Sequence, residues 1–359
     1  MSENTSEIRS ALRAILADHS STEAVVAAET EGWNEPLWKV LCDGGFAAIA
    51  VPEQYGGSGG TVADACTVLH ELGRSAASVP FAEHALLAGW LLAQGGRDLP
   101  DGVLTVIDDV SGLRASRTGD AITVTGTARQ VPWASASAAV LAILDINDQS
   151  TALLLPTVDL TVGGGMNLAQ EQLRTVTIDN VVVPAQNAWP VPANASEQLR
   201  LRGALSRAAL MAGALERTTE LTVRYTSERE QFGRPIGRFQ AVQRHVVRLA
   251  EAAQQAAMAA TVTALNADDE IDFFEAASAK IVTGECASAG TAAAHQAHGA
   301  IGMTKEYELG QLSRRLWSWR DEYGHERAWA RELGARLADA GADALWPRIA
   351  SGLNNSPVA

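Results

Sequence analysis

Apolar residues recur every third or fourth position through most of the first hundred residues. SEIRSALRAILADH and VADACTVLHELGRSAA show the spacing most clearly, and each predicts an amphipathic helix. The stretch VPEQYGGSGG, with Gly56, Gly57, Gly59 and Gly60, interrupts that period as a loop. Thr61 or Asp64 stands where the cap of the next helix is expected. Near residue 101 the texture changes. AITVTGTARQVP, AAVLAILDI, STALLLPTVDLTV and LRTVTIDNVVVP are short, rich in Val, Ile and Thr, and separated by Asp, Asn, Gly and Pro, as strands are.

The helical period returns near residue 196. ASEQLRLRGALSRAALMAGALERTTELTVRYTSERE predicts one helix of more than thirty residues. FQAVQRHVVRLAEAAQQAAMAATVTALNA predicts a second, and FFEAASAKIVTGECASAGTAAAHQAHGA a third. All are Ala-rich with few breakers, which favours long helices packed closely. The expected plan is α+β: an all-helical domain over 1–100, a small β-domain over 101–195, and a helical bundle over 196–350. The last nine residues, SGLNNSPVA, read as a frayed tail.

Composition narrows the classes. The chain has 359 residues, 47% hydrophobic and 19% charged, so two or three globular domains with unstapled cores are expected. The net charge of −14, from 28 basic and 42 acidic residues, argues against nucleic acid and against an anionic membrane surface. A local basic patch remains at Arg229, Arg234 and Arg238. Cys42, Cys66 and Cys286 are few, scattered and odd in number, which points to a reducing compartment and no metal site. The polar N-terminus has no apolar signal core. The most apolar window, HALLAGWLLAQGG, is too short to span a bilayer. The expected location is the cytoplasm.

Candidate chemistry gathers in YTSEREQFGRPIGRFQAVQ, which begins at Tyr225. One reading is a structural corner: Pro235 and Gly237 turn the chain, Phe232 and Phe239 plug the core, and the charges face water. The other is an anion and nucleotide site. Arg229 offers a planar fork for phosphate, and a helix starting near Phe239 points its free N–H groups into the turn. Gln240 adds donors beside them.

That stretch resembles the signature of the acyl-CoA dehydrogenase family, an R-x-Q-F-G-x-P-I…F-Q pattern. GFAAIAVPEQYGGSGG, TVTIDNVVVPAQN and HQAHGAIGMTKEYELGQLSRRLWSW resemble further parts of the family in order, so the likeness covers nearly the whole chain. It implies an N-terminal helical domain, a central β-domain and a C-terminal four-helix bundle. It implies FAD bound across a subunit interface, with the ring against one subunit's β-domain and the ADP half against the neighbour's bundle. Arg229, Phe232 and Gln240 match neighbour-facing FAD residues; Gln296 and Gly299 match two more. The implied chemistry is α,β-dehydrogenation of an acyl-CoA thioester. A carboxylate takes the α-proton and the β-hydrogen leaves as hydride to the flavin, with an electron-transferring flavoprotein as acceptor.

The sequence departs from the family where the base is expected. Counting from Gly302, one family base position falls on Tyr323, followed by Gly324; Glu322 is one residue early. The other position falls on Gly203 and Ala204, without a carboxylate. Tyrosine is a poor general base near neutral pH. Glu322 either substitutes through a one-residue slip or, with Asp321, is solvated charge beside Arg320. On the ring side, the family's T-E-P-G-x-G-S-D run corresponds to the shortened LTVIDDVSGLRASRTGD. Trp133 either matches a flavin-packing tryptophan or belongs to the core, and the Thr expected after it is absent.

The ADP-side residues are kept while the ring side and base are eroded. The chain therefore resembles the base-lacking subunit of actinobacterial heteromeric acyl-CoA dehydrogenases for steroid side chains and other bulky acyl groups. That implies a homologous, Glu-bearing partner subunit in a heterotetramer. Two alternatives stay open: a self-sufficient homo-oligomer using Glu322, and a member of the fold that has left this chemistry. Of the remaining signals, His295 and His298 form either a metal pair or the flank of the Gly299 loop. Trp317 and Trp319, with Arg314 and Arg315, line either an acyl or CoA channel or a subunit interface.

Overall fold

The computed structural model describes residues 3–350 apart from Asp120, Asp268, Lys305 and Glu306; the tail expectation for 351–359 falls outside them. Five α-helices make the first block: α1 (Glu3–His19), α2 (Thr22–Glu31), α3 (Glu35–Asp43), α4 (Val62–Arg74) and α5 (Gly89–Gln94). Both expected caps act together at α4. Thr61 accepts from the Asp64 N–H while the Asp64 carboxylate accepts from the Thr61 N–H, a reciprocal capping box. In the loop before α4, a Cβ at Gly57 would sit 1.9 Å from the Val51 carbonyl oxygen, so only glycine fits. A π-helical stretch, Ala82–Ala88, runs straight into α5, and all seven of its residues are buried. Such wide turns occur often at functional sites.

The β-block is two four-stranded sheets. One has the order β1-β4-β5-β8, from β1 (Leu104–Ile107), β4 (Ala139–Ile146), β5 (Gln149–Pro156) and β8 (Ala188–Pro190), with β1 parallel to β4. The other has the order β2-β3-β7-β6, from β2 (Leu113–Thr118), β3 (Ala121–Pro132), β6 (Thr161–Val162) and β7 (Leu173–Val183), all antiparallel. Ile107, Val140 and Leu153 of the first sheet share a core with Val124, Val176 and Ile178 of the second.

The last block begins with α6 (Ala195–Glu228), a single helix of 34 residues. A short hairpin, β9 (Glu230–Gln231) and β10 (Arg234–Pro235), leads into α7 (Gln240–Asn266). Then come α8 (Phe273–His298), α9 (Glu308–Asp321), α10 (Glu326–Ala340) and α11 (Ala342–Ala350). α6 packs on α7, α8 and α9 as the bundle, and it also packs on α4 of the first block. Small residues allow the close approach: a Cβ at Gly213 would lie 1.8 Å from the His70 carbonyl oxygen. No helix among the described residues is long and apolar enough to cross a membrane.

Candidate active site

The two positions where the family resemblance places a base meet in space. A Cβ at Gly203 would lie 2.2 Å from Cδ1 of the Tyr323 ring, so that ring fills the room a side chain on α6 would need. Tyr323 follows the end of α9 with φ of 53°, a left-handed conformation uncommon for a bulky residue. Its hydroxyl is buried without a hydrogen-bond partner. Burial and the nearby Glu83 push its pKa well above the usual tyrosine value, although Arg207 opposes this. The phenol therefore stays protonated at neutral pH.

Beneath the ring lies a chain of charges that sequence reading missed. The Arg207 guanidinium stands 4.9 Å from the Tyr323 ring centroid. Its Nη2 donates to Glu83 at 2.5 Å and its Nε to Glu322 at 2.7 Å. The Asn167 amide bridges two carboxylates, donating to Glu322 and to Glu171, each at 2.9 Å. Glu171 also accepts from the Trp319 indole at 3.1 Å and faces Arg315 at 3.5 Å. Arg207, Glu83, Glu171 and Arg315 are all buried. Burial raises the Glu171 pKa while Arg315 draws it down. For Arg207, burial favours the neutral form, but Glu83 and Glu322 outweigh it and hold the guanidinium charged. The signal in the sequence was a lone charge inside an apolar helical run, Glu83 in VPFAEHALLAG and Arg207 in GALSRAALMAG.

These contacts correct several expectations. Glu322 is not solvated charge: its side chain is 11% exposed and both oxygens are engaged. Arg320 pairs instead with Glu326, at 2.9 Å from its Nε, and only Asp321 is exposed. Trp319 and Arg315 are buried within the chain, with Arg315 also donating to Ser78 at 2.7 Å, so neither is free to face a subunit interface. Trp133 is buried, with φ of 55°, on the wall of the same charge-filled space. Beside it opens a cleft of about 840 Å³, lined by Trp317, Tyr323, Arg129 and the carboxylates Asp108, Asp109, Asp321 and Glu322. A five-residue loop between β1 and β2 supplies the two aspartates where the family's longer run was expected.

At the far end of α6 the geometry is open. The turn is at Phe232 and Gly233, not at Pro235 and Gly237. Both central residues have positive φ, 52° and 77°, and Gln231 pairs with Arg234 as in a type I′ hairpin. Phe232 does not plug the core; it is 92% exposed, edge-on to Phe239 at 5.9 Å. Arg229 caps α6 and is exposed, and no described carboxylate pairs with it. Gln240 opens α7, whose N-terminus has no side-chain cap. Tyr225 stacks on His298 at 4.6 Å, which joins this end of α6 to the end of α8 carrying exposed Gln296. Gly299 ends α8 at φ 66° and ψ −143°, a region open essentially to glycine. His298 is bonded to the Ala294 carbonyl and the Tyr307 hydroxyl, and His295 to Ser313, so they flank the Gly299 turn. Among the described residues no cluster could hold a metal ion. An unpaired guanidinium, an uncapped helix start, two side-chain amides and an exposed aromatic ring make a donor set suited to an anion carrying a flat ring.

Two family models match, the acyl-CoA dehydrogenase N-terminal domain over residues 2–99 and the C-terminal domain over 195–320. The acyl-CoA dehydrogenase IpdE2 of Mycolicibacterium smegmatis is 30% identical over 357 residues, spanning 94% of this chain and all of that one. The chain belongs to the acyl-CoA dehydrogenase family. Its members are oxidoreductases acting on the CH–CH bond of acyl-CoA. Among solved structures, the Tcur3481-Tcur3483 steroid ACAD G363A variant is similar at 26% identity and a TM-score of 0.85, covering 95% of this chain and 99% of that one. The ChsE4-ChsE5 complex from Mycobacterium tuberculosis has the same fold at 24% identity and a TM-score of 0.85, over 94% and 98% of the two chains.

Proposed function

We propose that this chain is the base-lacking subunit of a heteromeric, FAD-dependent acyl-CoA dehydrogenase. Its partner is a homologue that supplies the catalytic glutamate and the flavin-ring pocket. The observation that carries this reading is the filled site. Where the family's base and acyl group belong, this chain has Tyr323 against Gly203 and the chain of charges from Glu83 to Arg315. Glu322 is a poor base there, because an Arg207 N–H and the Asn167 amide occupy its two oxygens. The likeness to the ChsE4-ChsE5 complex and to the Tcur3481-Tcur3483 steroid ACAD supports the pairing.

In this reading Arg229, Phe232, Gln240, Gln296 and Gly299 hold the ADP half of an FAD whose ring lies in the partner. Arg229 and the start of α7 meet the pyrophosphate; Phe232 offers its exposed ring as a stacking surface. When bound, FAD supplies hydride acceptance for dehydrogenation of the acyl-CoA. This chain's own residues bind and orient it, while the Tyr323 ring fills the space beside Gly203 where a base would stand. The steroid named for one relative makes a bulky acyl group the class to test first. An electron-transferring flavoprotein is the proposed acceptor and the cytoplasm the proposed location; the three cysteines are free thiols, as a reducing compartment allows.

The test is the FAD content of the chain purified alone and after co-expression with a Glu-bearing homologue. The reading expects no flavin alone, and flavin plus acyl-CoA turnover in the complex. It also expects Arg229→Ala to lower FAD affinity of the complex about tenfold or more, with no change in the melting temperature of the chain alone. A full complement of FAD and turnover in the chain alone would overturn it.

A further inference from the structure

The corner after α6 and the cleft beside Tyr323 carry opposite charge on one chain. Between residues 224 and 248 six arginines stand against two glutamates, a local surplus of four positive charges in a chain of net charge −14. All six arginines are exposed, and none forms an ion pair with a described residue. The corner also projects apolar surface. Phe232 and Gly233 are the tip of the β9–β10 hairpin, and the Phe232 ring is almost fully exposed between Arg229 and Arg234. A pyrophosphate at Arg229 and the start of α7 answers only part of the charge surplus.

The cleft of about 840 Å³ is the counterpart. Asp108, Asp109 and Asp321 in its wall are exposed and form no ion pair with a described residue, against one exposed guanidinium, Arg129. Met166, Leu168 and Trp317 line the same cleft and are exposed. Such a wall accepts a projecting aromatic ring flanked by arginines, and Met, Arg and aromatic residues are the types enriched where protein surfaces meet. The volume admits a drug-sized body, and so a hairpin tip. The chain's own tip cannot reach it, because Gly203, against the Tyr323 ring, and Arg229 lie about 39 Å apart along α6. A nucleic acid or an anionic membrane would also meet the acidic remainder of the surface, which repels it.

We propose that the hairpin tip of one copy docks in the cleft beside Tyr323 of a second copy, with Phe232 against the apolar wall and the arginines against the aspartates. Mutual docking closes a two-fold dimer, the commonest symmetric assembly. The contact occupies Arg229 and Phe232, so it competes with the nucleotide that the proposed function puts there, but it does not rest on that reading.

Sedimentation velocity of the full chain alone, from roughly 1 to 100 µM, reads the association, and visible absorbance records any flavin. Association is expected at about 20 mM NaCl and should weaken about tenfold or more at about 500 mM. Arg234→Glu and Asp109→Arg should each weaken it about tenfold or more at low salt. An equimolar mixture of those two variants should recover it, since the altered tip of one chain then meets the altered cleft of the other. Phe232→Ser should weaken it several-fold. A chain that stays monomeric at low salt, association unchanged by salt, a mixture no tighter than its components, or a Phe232→Ser chain that associates like wild type would each overturn the proposal. FAD in the chain alone would refute the proposed function without bearing on this contact, and a flavin-free monomer would do the reverse.

Discussion

Arg207→Met isolates the buried charge chain beneath the Tyr323 ring. Arg207 is 4% exposed in its side chain, between Glu83 at 1% and Glu322 at 11%. Methionine keeps much of the volume but leaves two carboxylates facing each other without a cation. Removing one partner of a buried ion pair costs about 3–5 kcal/mol. Losing the contact with the Tyr323 ring adds about 0.5–1 kcal/mol. Total stability of a protein of this kind is on the order of 5–15 kcal/mol, so the variant loses a large share of it. The triple variant Arg207→Met, Glu83→Gln, Glu322→Gln removes all three charges, and its expected cost falls to about 2 kcal/mol or less, because a neutral replacement of a buried pair is often nearly neutral. Urea unfolding followed by tryptophan fluorescence and circular dichroism measures both. A cost below about 1 kcal/mol for the single variant would show that water or another cation reaches these carboxylates. A triple variant no more stable than the single one would show that Arg207 acts through packing.

Glu322→Gln should leave acyl-CoA turnover of the two-subunit enzyme within about twofold, whereas a loss of about a hundredfold would make Glu322 the base and refute the pairing. Gly203→Ala gains about 1 kcal/mol of helix propensity but drives its Cβ to 2.2 Å from the Tyr323 ring, so a net destabilisation of about 1–2 kcal/mol is expected in urea; adding Tyr323→Ala should remove the clash, and additive costs in the double variant would show the contact is absent. His84 is buried, accepts the Leu104 N–H at 3.1 Å, and burial lowers its pKa from 6.5 to about 4. The unfolded chain therefore binds more protons between those values, and His84 withdraws up to about 3 kcal/mol of stability as pH falls from 6.5 to 4. Unfolding free energies of wild type and His84→Asn across that window should diverge by this amount, and parallel curves would show that His84 titrates normally.

Long periodic segments were legible in the sequence because local spacing decides them. The 34-residue α6, the strand AITVTGTARQVP and the Thr61–Asp64 cap all depend on residues within a few positions of one another. The exposed corner at Arg229 and Gln240 could be placed for the same reason, since one unbroken stretch carries it. The turn inside it was misjudged. Pro235 and Gly237 are strong local signals, yet Phe232 adopts positive φ against its own preference to match the hairpin twist. Pairings such as Arg207 with Glu83, 124 residues apart, and Asn167 with Glu322, 155 apart, leave no local trace. They follow only once α6, the π-helix and the end of α9 have been packed together.

The same packing predicts that no single substitution installs a working base at either position. A glutamate at 323 would replace a phenol whose protonated form is favoured by Glu83, Asp108 and Glu322, and it would bring a further carboxylate among them. Arg207 could not neutralise it, since that guanidinium is already shared between Glu83 and Glu322. A glutamate at 203 would meet the Tyr323 ring. Moreover, the loop is held from behind. Lys280 on α8 is buried and donates to the Trp319 and Arg320 carbonyls at 3.0 and 2.7 Å, closing the C-terminal end of α9 against α8. α8 also carries Gln296 and Gly299 at its other end. Lys280 thus braces α8, whose other end stacks through His298 on Tyr225 beside the exposed corner of Arg229 and Gln240.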